Sequence, residues 1–246
     1  MHICLLPIEI LLHIFAIIND RGCYQARLDS LATIAALART CRTFKEPALD
    51  TLWKDMQGFK PLILCLPEGI RERTPHGRLT LKRPLFAGEW KIFNQYASRI
   101  RSLTIYHSHL TEVDAWVLKS LVCAPSPALL PNLHNLQWWD DKDCFLPLLH
   151  ALLVPTIRSM ALEPFAVFDP WVPSFTKSAF LVSLGARCPH IQEFVCPYSS
   201  DSDDHSDALC DAVCCWSELS HLRTRVLNTR ALAHLASLSS LRSLHF

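Results

Sequence analysis

Ile100-Arg101-Ser102-Leu103-Thr104-Ile105 and Leu133-His134-Asn135-Leu136-Gln137-Trp138 share one pattern: apolar, two polar, apolar, one variable position, apolar. It returns at Ile157-Arg158-Ser159-Met160-Ala161-Leu162, Ile191-Gln192-Glu193-Phe194-Val195-Cys196 and Leu241-Arg242-Ser243-Leu244-His245-Phe246, and in shortened form at Leu219-Ser220-His221-Leu222. Alternation of this kind marks a short strand with one buried face. Pro131, Pro155, Pro189, Ser217 and Ser239 each stand two residues ahead of an anchor, a matched offset that marks a recurring turn.

Between the anchors lie helix-compatible stretches, at 111–122, 143–153, 174–187, 207–216 and 229–238. The anchors are separated by 33, 24, 34, 28 and 22 residues, which brackets and slightly exceeds the unit length of leucine-rich repeats. An ordinary α/β sheet also yields periodic leucine, but strand, loop and helix in strict alternation is what a solenoid of mutually burying units requires. The expected fold class is therefore α/β, with an irregular leucine-rich-repeat solenoid and parallel sheet over residues 99–246. The last unit stops on its apolar sixth position at Phe246 with no polar cap behind it, so the expectation includes a truncated or partner-covered C-terminal edge.

Upstream the periodicity is helical. Ile8, Leu11, Leu12, Phe15 and Ile18 recur at three- and four-residue spacings behind Pro7; Ser30 is placed to cap a second helix carrying Leu31, Ile34, Leu37 and Cys41. A third helix is expected from about Pro47 to Gly58, presenting Leu49, Leu52, Trp53 and Met56, with Trp53 a large part of the bundle core. Residues 1–58 thus read as a short three-helix module. Residues 59–98, dense in Pro and Gly, read as a connector with short elements.

The ordered set Leu6-Pro7-Ile8-Glu9-Ile10-Leu11, then Phe15, Cys41-Arg42-Thr43-Phe44 and the closing Leu52-Trp53 resembles an F-box motif, in the form found in many fungal F-box proteins. The resemblance implies a helical module that docks on the Skp-type adaptor of a cullin-RING (SCF-type) ubiquitin ligase, while the repeats select a protein substrate. Leu6, Pro7, Ile10, Leu11, Phe15, Cys41, Arg42 and Phe44 match the family's adaptor-contacting positions. The insertion between the first two helices, holding Cys23 and Tyr24, is long for the family. The alternative is a free-standing leucine-rich-repeat scaffold that binds another protein and has no ubiquitin role.

Composition bounds what else the chain can be. Of its 246 residues, 50% are hydrophobic and 19% charged, which excludes wholesale disorder, and a formal charge of +1 gives no global reason to expect nucleic acid or an anionic membrane. Residues 1–100 hold 14 Lys/Arg and 9 Asp/Glu against 10 and 14 in the remainder, so any steering is local. Glu9 and His13 interrupt the apolar N-terminus, and no run reaches the ~20 apolar residues of a spanning helix. Eleven cysteines among apolar neighbours suit small core side chains in a reducing compartment, cytoplasmic or nuclear.

No glycine-rich phosphate loop, H-E-x-x-H or G-x-S-x-G is present, so no catalytic residue and no cofactor is assigned. Cys188, His190, Cys196, Cys210, Cys214 and Cys215 lack the paired close spacing of a zinc site, and no metal is expected. Asp201, Asp203, Asp204 and Asp207 lack the glycine and final Glu of a calcium loop. Arg71, Arg73, Arg78, Lys82 and Arg83 have no stacking platform beside them and read as a solvated run. For the substrate, the residue after each anchor is expected to point outward, giving a row of Arg101, His134, Arg158, Gln192 and Ser220, with Thr104, Gln137, Ala161, Val195 and Arg223 as a neighbouring row. The first row carries two arginines, a histidine and no acid, which suits an acidic or phosphorylated partner segment.

Overall fold

The computed structural model describes residues 6–19, 24–164, 171, 174–197, 203–225 and 227–246, apart from the side chains of 24–28 and 203–206. The chain opens with three helices, α1 (Ile8–Asn19), α2 (Tyr24–Ala38) and α3 (Arg42–Lys54). Pro7 stands just ahead of α1, and its carbonyl accepts the Leu11 amide at 3.2 Å, so its missing N–H falls where a helix has no internal acceptor.

Four local expectations are corrected. Helix α2 starts at Tyr24, so Ser30 is buried inside it and does not stand at its N-cap. Helix α3 starts at Arg42 behind an extended Cys41 (φ −155°, ψ 164°), with Pro47 inside it. That proline leaves the carbonyl of Thr43 without its helical donor, and Thr43 lies at the exposed surface where water can serve. Met56 is not helical: it sits on β1 (Asp55–Gln57), and Gly58, at φ +65°, turns the chain where a side chain would be strained. Trp53 packs with the main core rather than the helical bundle, its ring centroid 4.8 Å from that of Tyr96.

Residues 59–98 carry α4 (Lys60–Leu64), the antiparallel hairpin β2 (Arg71–Arg73) and β3 (Leu79–Leu81), and α5 (Ala87–Ala97). Phe59, Leu62, Ile63, Leu79, Trp90 and Phe93 are buried in the same apolar core as the later strands, so the segment is part of that interior despite its Pro and Gly.

From there strand and helix alternate: β4 (Ser102–Tyr106), α6 (His107–Thr111), α7 (Ala115–Val122), β5 (Asn135–Trp139), α8 (Leu146–Ala151) behind a 3-10 turn at Asp143–Phe145, β6 (Ser159–Glu163), α9 (Phe175–Arg187), β7 (Glu193–Cys196), α10 (Asp203–Cys214), β8 (His221–Thr224), α11 (Thr229–Ser237) and β9 (Ser243–His245). Among the described residues, β1 and β4 to β9 form one seven-stranded, all-parallel sheet in sequence order. The second apolar position of every unit is in register: Met56, Leu103, Leu136, Met160, Phe194, Leu222 and Leu244 form one row across the sheet. The anchors Ile100, Leu133, Ile157, Ile191 and Leu219 are fully buried.

Backbone bonds pin that register. The carbonyl of Arg101 accepts the amides of His134 and Asn135, that of His134 those of Arg158 and Ser159, and the pattern continues through Arg158, Gln192 and Ser220 to Arg242 and Ser243. Helices α7 to α11 pack each against the next, with side-chain caps at Asp114, Ser174 and Asn228 starting α7, α9 and α11. Gly185 on α9 lies against α10 so closely that a Cβ there would come within 2.8 Å of the Ala212 Cα. Among the described residues no helix is long and apolar enough to cross a membrane.

The cysteines divide by burial. Desolvation pushes the Cys188 thiol up to about 12 and raises that of Cys196 further, whereas Cys123, Cys144 and Cys215 are exposed. Cys4 and Cys23 lie outside the described residues. Native labelling with iodoacetamide near pH ~8, read by peptide mass spectrometry, is expected to modify Cys123, Cys144 and Cys215 and to spare Cys188 and Cys196 until the protein is unfolded. Replacing Gly185 with Ala should cost about 1–3 kcal/mol in urea unfolding, because overpacking of α9 on α10 outweighs the helix propensity gained.

Candidate functional site

The first three helices close on a small core of Leu11, Phe15, Ile34, Phe44 and Ala48, with the Phe15 and Phe44 rings edge to face at 6.0 Å. This divides the residues matched to adaptor contacts. Leu11, Phe15 and Phe44 point inward and hold the module together; Phe15 is 2% exposed and offers a partner no surface. Leu6 and Cys41 are partly buried against the same core, while Pro7, Ile10 and Arg42 are exposed. The structure adds Ile8 (50% exposed) and Ile17 (60%), which with Ile10 (46%) give α1 apolar surface facing solvent. The sequence signal for them was present, but α1 is apolar on nearly every side and its period does not single out one face.

The module is fastened to the sheet at α3. Arg99, just after α5, forks across Glu46 and Asp50 of α3, the Arg101 amide donates to the Lys54 carbonyl at 2.9 Å, and Trp53 stacks on Tyr96. Beside this junction α1 and the start of the sheet enclose an open cleft of about 1450 Å³. Glu9, His13 and Ile17 line it from α1, Lys54, Asp55 and Gln57 from the end of α3 and β1, Arg101 from just before β4, and Ser102 and Thr104 from β4.

Across the sheet the strands bury one face and leave the other accessible. On β4, Leu103 and Ile105 are buried while Ser102, Thr104 and Tyr106 are not; β5 and β6 repeat this with Asn135, Gln137, Trp139 and Ser159, Ala161, Glu163. The proposed substrate row, Arg101, His134, Arg158 and Gln192, is brought together by the shared backbone bonds, but it forms a rim just before the strands and not a row on them. The residues after it, Ser102, Asn135, Ser159, Glu193 and His221, form a further outward row that strict alternation from the anchors would have turned inward. The anchor and the first buried strand position lie three residues apart, an odd step that shifts the phase by one.

The rim is not free of acid. Glu218 accepts from Gln192 Nε2 at 3.1 Å and lies 2.8 Å from His190 Nδ1; the bonds to His190 and Gln192 hold its carboxyl below the usual range, with the positive charge of Arg158 adding to them. Glu193 accepts from Ser159 Oγ at 3.0 Å. At the β4 end the cations stand differently: Arg101 Nη1 donates to the Asn132 carbonyl at 3.3 Å, and among the described residues neither Arg101 nor Arg158 forms an ion pair.

At the opposite end of the strands, Tyr106 and Trp139 make an aromatic shelf, ring centroids 5.8 Å apart. Behind it His107 Nδ1 lies 2.5 Å from the buried Asp140 carboxylate, which also accepts the Lys142 amide at 2.9 Å. Two polar atoms on β5, Asn135 Oδ1 and Trp139 Nε1, are covered and have no hydrogen-bond partner.

Among the described residues no group of three His, Cys, Asp or Glu side chains could hold a metal ion. Of the acidic cluster, Asp201 lies outside the described residues, as do the side chains of Asp203 and Asp204, and Asp207 accepts from Asn228 Nδ2 at 3.0 Å. In the basic run, Arg71 pairs with Glu68, Arg83 pairs with Glu89, and Arg73 donates to the Gly77 carbonyl at the hairpin tip.

No curated protein matches the chain. Among protein families, the F-box-like model matches residues 3–57, the stretch that folds as α1 to α3 and runs into β1, and this identifies an N-terminal F-box-like module.

Proposed function

We propose that this protein is the substrate-recognition subunit of an SCF-type cullin-RING ubiquitin ligase. The F-box-like module docks a Skp-type adaptor and, through it, a cullin; the strand-helix units act as an irregular leucine-rich-repeat solenoid that holds a protein substrate. The protein is non-catalytic in this reading, takes no cofactor, and works in the cytoplasm or nucleus. The observation that carries it is the F-box-like match over residues 3–57, a module that is non-catalytic and works by binding. Exposed apolar surface at Pro7, Ile8, Ile10 and Ile17 supports a docking role, since isoleucines held in water on one short helix gain by being covered. The repeat reading is supported by strands that follow sequence order without the reversal of a doubly wound sheet.

A second reading, a free-standing scaffold whose helices merely cap the repeats, is favoured by one observation. The module is fastened to the sheet through Arg99, Trp53 and β1, as an end cap would be.

Mixing the purified chain with the Skp-type adaptor separates the two. A stable complex by size exclusion and calorimetry is expected for the ligase subunit, and none for the scaffold. Ile8→Asp combined with Ile10→Asp should weaken adaptor binding at least about tenfold, since a desolvated apolar anchor is worth ~2 kcal/mol or more. The circular dichroism spectrum should not change. Leu11→Ala with Phe15→Ala should instead lose binding together with the thermal transition of the module. Adaptor affinity within about threefold of wild type for the Ile8, Ile10 variant would remove this face from the interface.

A further inference from the structure

We infer that the outward face of β4, β5 and β6 binds an extended acidic segment of a partner protein, laid along the strands with its carboxylates at the rim of Arg101 and Arg158 and an apolar side chain on the Tyr106–Trp139 shelf. That this segment belongs to a ubiquitination substrate rests on the function proposed above; the binding itself does not.

Four observations converge on that occupant. Arg101 and Arg158 are exposed, and among the described residues neither is spent on an ion pair; Arg101 gives Nη1 to the Asn132 carbonyl, and both guanidinium groups keep donors for a carboxylate. Acids do border the face: some are engaged or stand at the shelf end, while Asp55 and Glu9 line the cleft beside Arg101 without an ion pair to it among the described residues, which leaves Arg158 the less shielded of the two cations. Glu218 is held by His190 and Gln192, Glu193 by Ser159, and Glu163 pairs in register with Trp139 beside the shelf. Asp55 pairs in register with Ser102 on the β1 side. The floor between rim and shelf, Ser102, Thr104, Asn135, Gln137, Ser159 and Ala161, is short or uncharged and lets an extended backbone approach.

The shelf supplies a flat apolar surface with a polar edge, the kind that anchors a side chain while the rest of a segment stays wet. Asn135 Oδ1 and Trp139 Nε1, one acceptor and one donor without partners, are what a segment's own amides and carbonyls could satisfy after a small side-chain rotation. The rim and the shelf are five positions apart on β5, His134 to Trp139, so about 16–17 Å of strand separates them and a segment lying alongside needs the same spacing between its acid and its apolar residue.

The test uses the full chain and fluorescein-labelled peptide pools of the form Ser-Asp-Asp-x-x-x-Leu-Trp-Ser, where x is a mixture of Ser, Thr, Ala and Gln. Companion pools carry Lys-Lys or two phosphoserines in place of Asp-Asp, and anisotropy titration reads the affinity. The acidic pool should bind at least about tenfold more tightly than the Lys pool at low salt, and the preference should shrink to within about threefold in Arg101→Gln combined with Arg158→Gln. Trp139→Ala should weaken the acidic pool while keeping the preference for acid over Lys. Thermal unfolding of each variant confirms that it is folded. The proposal is overturned if the acidic and Lys pools bind alike, if neither binds by about 1 mM, if the acid preference survives loss of both arginines, or if only the phosphoserine pool binds. No adaptor is present in this assay, so a chain that fails to bind the adaptor but discriminates the pools loses the ligase reading and keeps this one.

Discussion

Every strand in the parallel sheet depends on one row of contacts, Met56, Leu103, Leu136, Met160, Phe194, Leu222 and Leu244, lying side by side in register. A slip of one residue on any strand would turn its apolar residues to the accessible face and its Ser, Thr or Gln toward the helices. The slip is opposed twice over, by the fully buried anchors and by carbonyls that each accept two amides from the next unit. Because this pinning acts just before and along the strands, units can differ in length without disturbing it. The long span between β4 and β5 simply holds two helices, α6 and α7.

The same row explains why the helical module is not a bead on a string. Its own core is small, Leu11, Phe15, Ile34, Phe44 and Ala48 with partly buried neighbours, and a chain this short gains from added contacts. Helix α3 therefore runs directly into β1, the first rung of the row, while Arg99 and the Trp53–Tyr96 stack fix its angle. Ile8, Ile10 and Ile17 are left outside, where a partner can reach them without disturbing the interior.

A formal charge of +1 conceals strong local differences. Around β7 the acids find partners within the fold, Glu218 with His190 and Gln192 and Glu193 with Ser159. Around β4 to β6 the arginines stand at one end of the strands and the aromatic rings at the other. The polarity of this surface comes from which side chains find partners within the fold, and composition does not report that.

The sequence by itself determined the strands of the later units, their order of alternation with helices and the existence of a three-helix module. In each case the mark is local: apolar positions two apart beside an anchor, or three and four apart behind Pro7. The tertiary structure decided what local marks leave open. Met56 fits either period, and its pairing with Leu103 made it a strand residue. Leu11 and Ile10 are equally apolar, and the positions of α2 and α3 chose which was covered. Burial of both Ile100 and Leu103, three residues apart, put Ser102 on the accessible face against simple alternation, and the approach of α10 to α9 is what leaves no room for a side chain at Gly185. A pattern states that a residue prefers to be buried; only contact between segments distant in the chain determines which of several such residues is.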